Sequence, residues 1–439
     1  MDYATKAKYA VHAKRQVNKE TGERGKPTFK ITTIDVQSLN AQECPPLKNL
    51  ENTSMFNLGG DASTKHRSFS LRVLRDLGFG KTSMEEHIKE ELFDFVNEID
   101  GTKERGVPVL ELILQSLMNV TSALLFGTRY PLGDPKRKYL AQLATDYMQR
   151  VHCAPIIQFK PQWLCRFEAK LPFTRTGAMR KCRLAMIDFI RYQVKQHEDT
   201  IQADVTRDFI DGFLKQVEKH RRDPNPAFEV CHLVANTVEL FFGSSSNVPV
   251  LMHWLLLVCA QNPERVQARI QKEVDDVVGR DRQPRWEDRK AMPFTMASVL
   301  EITRWKVTEP IGLPRGVKKD TFIGEYLIPE GTMVMANVMA VHRNPELWEN
   351  PDRFHPERFL TADGSELSKK PEHHIAFSLG KRICPAEMLA NVEMFLYLAT
   401  ILQKFSVLPD YGAQLPDLGC LSTSSRHPSI KMLRFVSRR

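Results

Sequence analysis

Cysteine is missing from the arrangements that bind zinc. The eight cysteines, at positions 44, 153, 165, 182, 231, 259, 384 and 420, form no C-x-x-C pair and no Cys/His cluster at zinc spacing. That argues against a structural zinc module and fits a reducing compartment. Long apolar runs are missing too. The longest nearly apolar stretch, Val248 to Ala260, is short for a bilayer and is interrupted by Pro249 and His253, so no transmembrane helix or signal peptide is visible. No Gly/Ser-rich or charge-block linker divides residues 60–439, and no internal repeat occurs. One large domain is favoured over two or three. What the chain does have is 42% hydrophobic, 26% charged and 9% aromatic residues in a length of 439. That balance supports a large buried core and excludes a disordered, fibrous or disulfide-stapled protein.

Charge is unevenly placed. The net charge is +9, and residues 1–30 carry eight Lys/Arg against three Asp/Glu. A basic head attracts anionic lipid, nucleic acid or an acidic partner without choosing among them. Residues 1–56 lack sustained apolar periodicity and contain turn-forming stretches such as Cys44-Pro45-Pro46, so they read as an atypical, partly disordered segment. Helical patterns then dominate: Met84–Ile99, Pro108–Phe126, Tyr139–Val151, Arg175–His197, Val205–His220, Phe228–Cys259, Pro263–Val278 and Pro293–Trp305 repeat apolar residues at three and four spacing. Strand signal is confined to Thr321–Ile328, Thr332–Ala340 and Ile430–Val436. Val107-Pro108 and Asn262-Pro263 read as helix starts. The expected architecture is mainly α with small β-sheets, in one domain spanning 57–439.

The most informative segment is Phe377-Ser378-Leu379-Gly380-Lys381-Arg382-Ile383-Cys384-Pro385-Ala386-Glu387, a Gly-bearing turn that delivers a cysteine to a helix start. Leu389, Val392, Leu396 and Ala399 mark one buried face of that helix. Pro385 suits its first position, and orphan N–H groups with the positive dipole end favour thiolate at Cys384. A thiolate attacks an electrophile or ligates a metal; a buried free cysteine is the competing reading.

This segment resembles the heme-binding signature of the cytochrome P450 family, F-x-x-G-x-R-x-C-x-G. Glu301-Ile302-Thr303-Arg304 resembles the family's E-x-x-R, and Pro356-Glu357-Arg358-Phe359 its P-E-R-F. Leu313-Pro314-Arg315 resembles the stretch whose basic residue reaches a heme propionate. Asp208–Asp211 and Glu239–Gly243 resemble stretches of the animal microsomal subgroup that oxidises drugs, steroids and fatty acids. The resemblance covers about residues 57–439. It implies the cytochrome P450 fold, heme b with its iron on Cys384, and a monooxygenase reaction with electrons from NADPH-cytochrome P450 reductase. Phe377 and Arg382 belong to the implied cofactor contacts. Arg67 and Arg315 join them because guanidinium matches carboxylate bidentately. Glu301, Arg304 and Arg358 form the implied structural triad, in which Arg358 adds a second fork of donors to one carboxylate.

The implied substrate is an apolar small molecule, with no role for nucleic acid. Phe241, Phe242, Val307, Ile311, Leu313 and Leu421 fall in segments that line the family's cavity or, equally, in plain core. Segment 63–81 holds Lys65, Arg67, Arg72, Arg75 and Lys81 against the single acid Asp76, which suits an acidic flavoprotein or a merely solvated helix face. Ile156, Ile157, Phe159, Trp163 and Leu164, interleaved with Lys160 and Arg166, resemble the family's membrane-dipping loop. The implied location is the cytoplasmic side of the endoplasmic reticulum membrane, through peripheral contact. It is the soluble cytoplasm if the absence of the family's anchor is genuine.

Four departures fall at functional places. The family's membrane helix and Pro-rich hinge are not found in the head. Ser63 stands where a propionate-binding Trp precedes Arg67 by four, and Ala386 replaces the Gly two after the cysteine. Ungapped alignment between Glu239–Phe242 and His253-Trp254 puts Ser246 at the family's acid and Asn247 at its oxygen-activating Thr. Neither is a carboxylic acid with a useful pKa. Pro249 is expected to clash with the Ser245 carbonyl and kink the helix. Two rival functions follow: an isomerase or dehydratase acting on a peroxide without reductase, and a catalytically silent heme or ligand binder.

Overall fold

Residues 54–56, 58–78, 82–152, 162–223, 227–413 and 431–438 are described by the computed structural model. The basic head lies outside them, as do Lys81, Ile156, Ile157, Phe159, Lys160 and Leu421. The helices are α1 (Gly60–Asp76), α2 (Thr82–Asp100), α3 (Val109–Phe126), α4 (Pro135–His152), α5 (Gln162–Lys170), α6 (Arg175–Thr200) and α7 (Phe209–Lys219). They continue as α8 (Val230–Ser244), α9 (Asn247–Gln261), α10 (Ala268–Val277), α11 (Pro293–Trp305), α12 (Val338–His342) and α13 (Glu387–Lys404). The strands are β1 (Val107–Pro108), β2 (Arg315–Gly316), β3 (Thr321–Ile323), β4 (Tyr326–Ile328), β5 (Met333–Val334), β6 (Phe405–Pro409) and β7 (Met432–Ser437). They form three small antiparallel sheets, ordered β1-β7-β6, β2-β5 and β3-β4.

Helices α9 and α13 carry apolar residues on every face, and such helices must be enclosed. Val248–Ala260 is buried without interruption, as are Val392–Gln403. The two pack on each other, and α11 packs on both, so the helix following Cys384 and the one beginning at Asn247 share a core. Val109–Phe126 and the joined stretch Val230–Gln261 are apolar and long enough to cross a membrane by composition. Their apolar windows are 78% buried against other protein, as core helices are.

The turns differ from expectation in ways that local chemistry explains. The stretch Phe228–Cys259 is two helices, not one kinked helix. Ser244 and Ser245 donate their hydroxyls back to the Phe241 and Phe242 carbonyls, at 2.8 and 2.7 Å. Such bonds compete with the helical ladder. Pro249, lacking an N–H, cannot bond the Ser245 carbonyl; it sits instead in the first turn of α9, where no intrahelical N–H bond is required. Val107-Pro108 is the short strand β1 paired to β7, and α3 starts one residue later. Thr321–Ile328 is a hairpin, with Gly324 at φ +62° between its arms. Most of Thr332–Ala340 is not strand, because Asn337 caps α12 by accepting from the Ala340 N–H at 3.0 Å. Asp208 likewise starts α7 later than the periodicity implies, accepting from the Asp211 N–H at 3.0 Å.

Candidate active site

Gly380 pivots the segment that carries Cys384. Its φ of +74° is one that residues with a Cβ rarely adopt, and a single 3-10 turn over Gly380–Arg382 follows. The loop closes on itself: the Cys384 N–H donates to the Phe377 carbonyl at 2.8 Å and the Ile383 N–H to the Gly380 carbonyl at 3.0 Å. Phe377, half-buried, packs its ring on the core. Helix α13 begins only at Glu387, capped by Ala386, so Pro385 occupies the turn and not the first helical position. The expected preference for thiolate is also corrected. Burial pushes the Cys384 thiol up; the Ala386 N–H and Arg67 oppose the rise, and Glu387 adds to it. The positive helix end arrives two residues later than Pro385 and carries the Glu387 carboxylate.

Three guanidinium groups gather around this loop. Arg67 of α1 donates to the Ile383 carbonyl, and Arg315 of β2 donates to the Arg382 carbonyl at 3.4 Å. Arg382 turns its terminal nitrogens to the carbonyls of Met55 (3.0 Å), Phe56 (3.2 Å) and Leu58. Its fork is therefore largely engaged by backbone. Burial, then the neighbouring arginine charge, holds Arg315 below the usual guanidinium range; Arg67 is lowered by burial and Arg382, with Cys384 opposing. Among the described residues, none of the three forms an ion pair with a carboxylate.

Behind the loop lies a fully enclosed ion pair. Glu301 and Arg304, one turn apart on α11, are both 0% exposed and joined by two bonds of 2.7 Å. Glu301 also accepts from the His355 N–H at 2.9 Å, while Arg358 approaches through Nε alone at 3.3 Å. Arg358 spends a second nitrogen on the Glu349 carbonyl at 3.0 Å, so the expected double fork is a single contact. Arg304 donates onward to the carbonyls of His342 and Pro351, each at 2.9 Å. Burial holds His374 down to about 4 and His342 well below its usual value. Both rings are thus neutral beside Arg304 and add no positive charge.

Residues 44–433 match the family model described as Cytochrome P450. The chain belongs to the cytochrome P450 family. Human cytochrome P450 2J2 is 31% identical over 398 residues, covering 89% of this chain and 77% of that protein. Mouse cytochrome P450 2B9 is 34% identical over 363 residues, 82% and 72% of the two chains. Human cytochrome P450 2A6 is 32% identical over 346 residues, 79% and 69% of the two. Cytochrome P450s are monooxygenases, oxidoreductases that incorporate molecular oxygen with heme b, and this chain is an enzyme of that class.

The residues around Cys384 fit heme. A cluster of guanidinium groups with no carboxylate to meet it suits a dianion, and two propionates make one. Cys384 supplies a sulfur at the centre of that cluster, and a coordinating thiol is deprotonated outright by the metal's charge. Ser63 is buried and donates to the Met55 carbonyl at 3.0 Å. Ala386 has a φ of −101°, so its methyl needs no strained conformation.

Ser246 and Asn247 stand at the helix break, as the cap and first residue of α9, with Oγ and Oδ1 3.5 Å apart. Beside them Ser244 accepts from Thr121 of α3 at 3.1 Å. Phe241 and Phe242 are core: Phe242 stacks on Tyr147 at 4.0 Å between centroids, and Phe241 is fully buried. Val307 is half-buried, whereas Ile311 and Leu313 are 54% and 65% exposed.

Several buried polar residues escaped the motif reading. Glu91 accepts from Arg137 at 2.6 Å, Asn119 at 2.7 Å and Arg129 at 3.2 Å, tying α2 to α3 and α4. His197 and Asp208 meet at 2.7 Å near Asp211, a metal-like grouping. The Asp211 carboxylate is already held by Arg207 at 2.6 and 2.8 Å, so the cluster reads as a brace between α6 and α7. Glu393 was legible as one acid within the apolar run of α13.

Glu393 makes no hydrogen bond or ion pair among the described residues, and burial pushes its carboxyl up to about 8. A carboxyl raised from 4.5 to about 8 binds a proton in the folded state that it releases in the unfolded state. Stability is then highest below the lower value and falls through that window, by at most about 1.4 kcal/mol per pH unit. Glu393→Gln is expected to flatten this slope, raising the thermal midpoint at pH 8 and changing it little at pH 4.5. Parallel pH profiles for the two proteins would refute the assignment.

Proposed function

We propose that this P450 is a heme-thiolate monooxygenase that oxidises an apolar small molecule, with Cys384 as the proximal ligand and NADPH-cytochrome P450 reductase as electron donor. The carrying observation is the Cys384 loop, with Cys384 half-buried and Arg67, Arg315 and Arg382 gathered around it, none of the three ion-paired with a carboxylate among the described residues. Heme b held there would supply dioxygen activation, with Cys384 as the residue that would hold its iron. Arg67 and Arg315 orient the cofactor by its propionates; Arg382, mostly engaged by backbone, fixes the loop against the Met55–Leu58 segment. Glu301, Arg304 and Arg358 hold the scaffold behind the cysteine. Ile311 and Leu313 offer apolar surface to substrate. The exposed side chains of Lys65, Arg72 and Arg75 on α1, with Lys381 beside the cysteine, suit an acidic flavoprotein.

The test is spectral and catalytic. Cys384→Ser is expected to abolish the thiolate-type spectrum of the carbon-monoxide adduct; an unchanged spectrum would refute the ligand assignment. NADPH consumption and product formation with reductase support the monooxygenase. Turnover of a lipid hydroperoxide without reductase would favour the isomerase or dehydratase instead, and neither activity would leave a silent binder.

We also infer peripheral contact with the cytoplasmic face of the endoplasmic reticulum membrane. On α5, Trp163 and Phe167 are 69% and 58% exposed, one turn apart, and Phe173 beyond it is 82% exposed. Such an aromatic face partitions into the lipid interface. Trp163→Ala/Phe167→Ala is expected to cut binding to phospholipid vesicles several-fold, and alkaline washing should strip the wild type from membranes. Retention equal to that of an integral membrane control would sink the peripheral reading.

A further inference from the structure

The chain enters the Cys384 loop through His374 and Ile375, and buried groups outside the loop hold both. His374 places Nε2 3.1 Å from the Leu300 carbonyl and 3.1 Å from the Thr303 hydroxyl of α11. A carbonyl only accepts, so Nε2 carries the proton. Thr303 gives its own proton to the same carbonyl at 2.7 Å, which leaves its oxygen to accept from the imidazole. The Ile375 N–H donates to His342 Nε2 at 2.9 Å, so that ring is the opposite tautomer, protonated on Nδ1. Both rings are buried, with centroids 5.6 Å apart.

We propose that His374, with His342 as the second point of the clamp, is a positioning residue for the Cys384 sulfur. The inference rests on the reading of Cys384 as the iron ligand.

Hydrogen bonds relay the clamp to the cysteine. The Ser378 N–H donates to the Ile375 carbonyl at 2.9 Å, and the Cys384 N–H to the Phe377 carbonyl at 2.8 Å. Ser378 has a φ of +67°, which a residue with a Cβ keeps only where its surroundings enforce it. On the far side of the loop, Arg67 and Arg315 reach the carbonyls of Ile383 and Arg382, but these are the guanidinium groups assigned to the propionates. The entry side is therefore the anchor that the cofactor does not recruit. Once it is released, the Phe377 carbonyl is free to shift and to take the Cys384 N–H with it.

His374→Phe keeps a ring beside Phe359 and Trp348, its neighbours at 5.4 and 6.4 Å, and deletes the donor. His374→Gln keeps an N–H near the place of Nε2. In heme-loaded His374→Phe, conversion of the carbon-monoxide adduct from the thiolate to the thiol type is expected to run about three- to tenfold faster, the factor one hydrogen bond carries. Hydrogen exchange across residues 375–384 should rise with it. His374→Gln should restore most of the wild-type rate, and Thr303→Val, which leaves the Leu300 carbonyl in place, should fall between. A structural role alone would lower heme loading and the thermal midpoint but leave conversion in the loaded protein unchanged. Wild-type conversion in His374→Phe, or conversion in His374→Gln as fast as in His374→Phe, would overturn the proposal. Faster exchange without faster conversion would overturn the link to the sulfur. Should His374→Phe bind no heme, Thr303→Val carries the same comparison. An unchanged spectrum in Cys384→Ser is a separate result that strikes the ligand assignment, and exchange still reads the clamp.

Discussion

Glu301→Ala is expected to yield almost no folded holoprotein. The carboxylate accepts two bonds from Arg304 at 2.7 Å, one from the His355 N–H at 2.9 Å and a longer one from Arg358 at 3.3 Å. Removing it leaves Arg304 charged at 0% exposure with nothing to neutralise it. Breaking a buried pair in this way costs about 3–5 kcal/mol, a large part of the roughly 5–15 kcal/mol that holds a domain folded. The damage does not stay local, because Arg304 also fastens the carbonyls of His342, Pro351 and Arg353, and the His342 ring in turn accepts from the Ile375 N–H at 2.9 Å. Glu301→Gln keeps acceptor geometry but loses charge, and should fall between alanine and wild type. The measurement is heme bound per protein together with the thermal midpoint. Normal heme content with only turnover impaired would contradict a structural role.

The helices were legible where apolar periodicity runs for several turns; α5, only nine residues long, fell in a stretch read as a loop. Pro293–Trp305 was bounded to the residue, since Pro263 and Pro293 announce helix starts and Trp305 ends an unbroken apolar repeat. What periodicity misses is chemistry that competes with it. The serine hydroxyls at 244 and 245 and the absent Pro249 N–H divide a continuous apolar pattern, and an average over a window cannot see either. Asn337 ends a strand-like run for the same reason. At the site, the residue types in the signature motif are clustered as the resemblance implies, yet their bonding was not legible. That Arg382 is largely engaged depends on where Met55 to Leu58 happen to pass. That Cys384 resists ionisation depends on burial, which the dipole argument left out. Glu393 and Glu91 belong to no motif, and only their enclosure makes them consequential.

Restoring an acid and an alcohol at the helix break should raise the fraction of NADPH that ends in product, and by more than any change in the cavity lining. Hydroxylation consumes substrate, dioxygen, two electrons and two protons, and yields alcohol and water. If the protons are late, the same two electrons and two protons leave with dioxygen as hydrogen peroxide. In this chain Asn247 supplies a carboxamide and Ser246 an alcohol at the cap of α9, 3.5 Å apart. Neither can hold and release a proton as a carboxyl group does. The break turns the Ser244 hydroxyl toward the Phe241 carbonyl and Thr121, at 2.8 and 3.1 Å, so that hydroxyl is engaged within the protein. A positioned acid or base typically contributes about 10²–10⁴-fold to a proton-limited step. Ser246→Glu/Asn247→Thr is therefore expected to lower the ratio of hydrogen peroxide formed to NADPH consumed and to raise product yield, with heme content unchanged. Asn247→Thr alone should do less, because an alcohol without an acid has no proton source. Tight coupling already present in the wild type would show that Asn247 and the serine hydroxyls form an adequate relay, and the reading of this break as an impairment would be wrong.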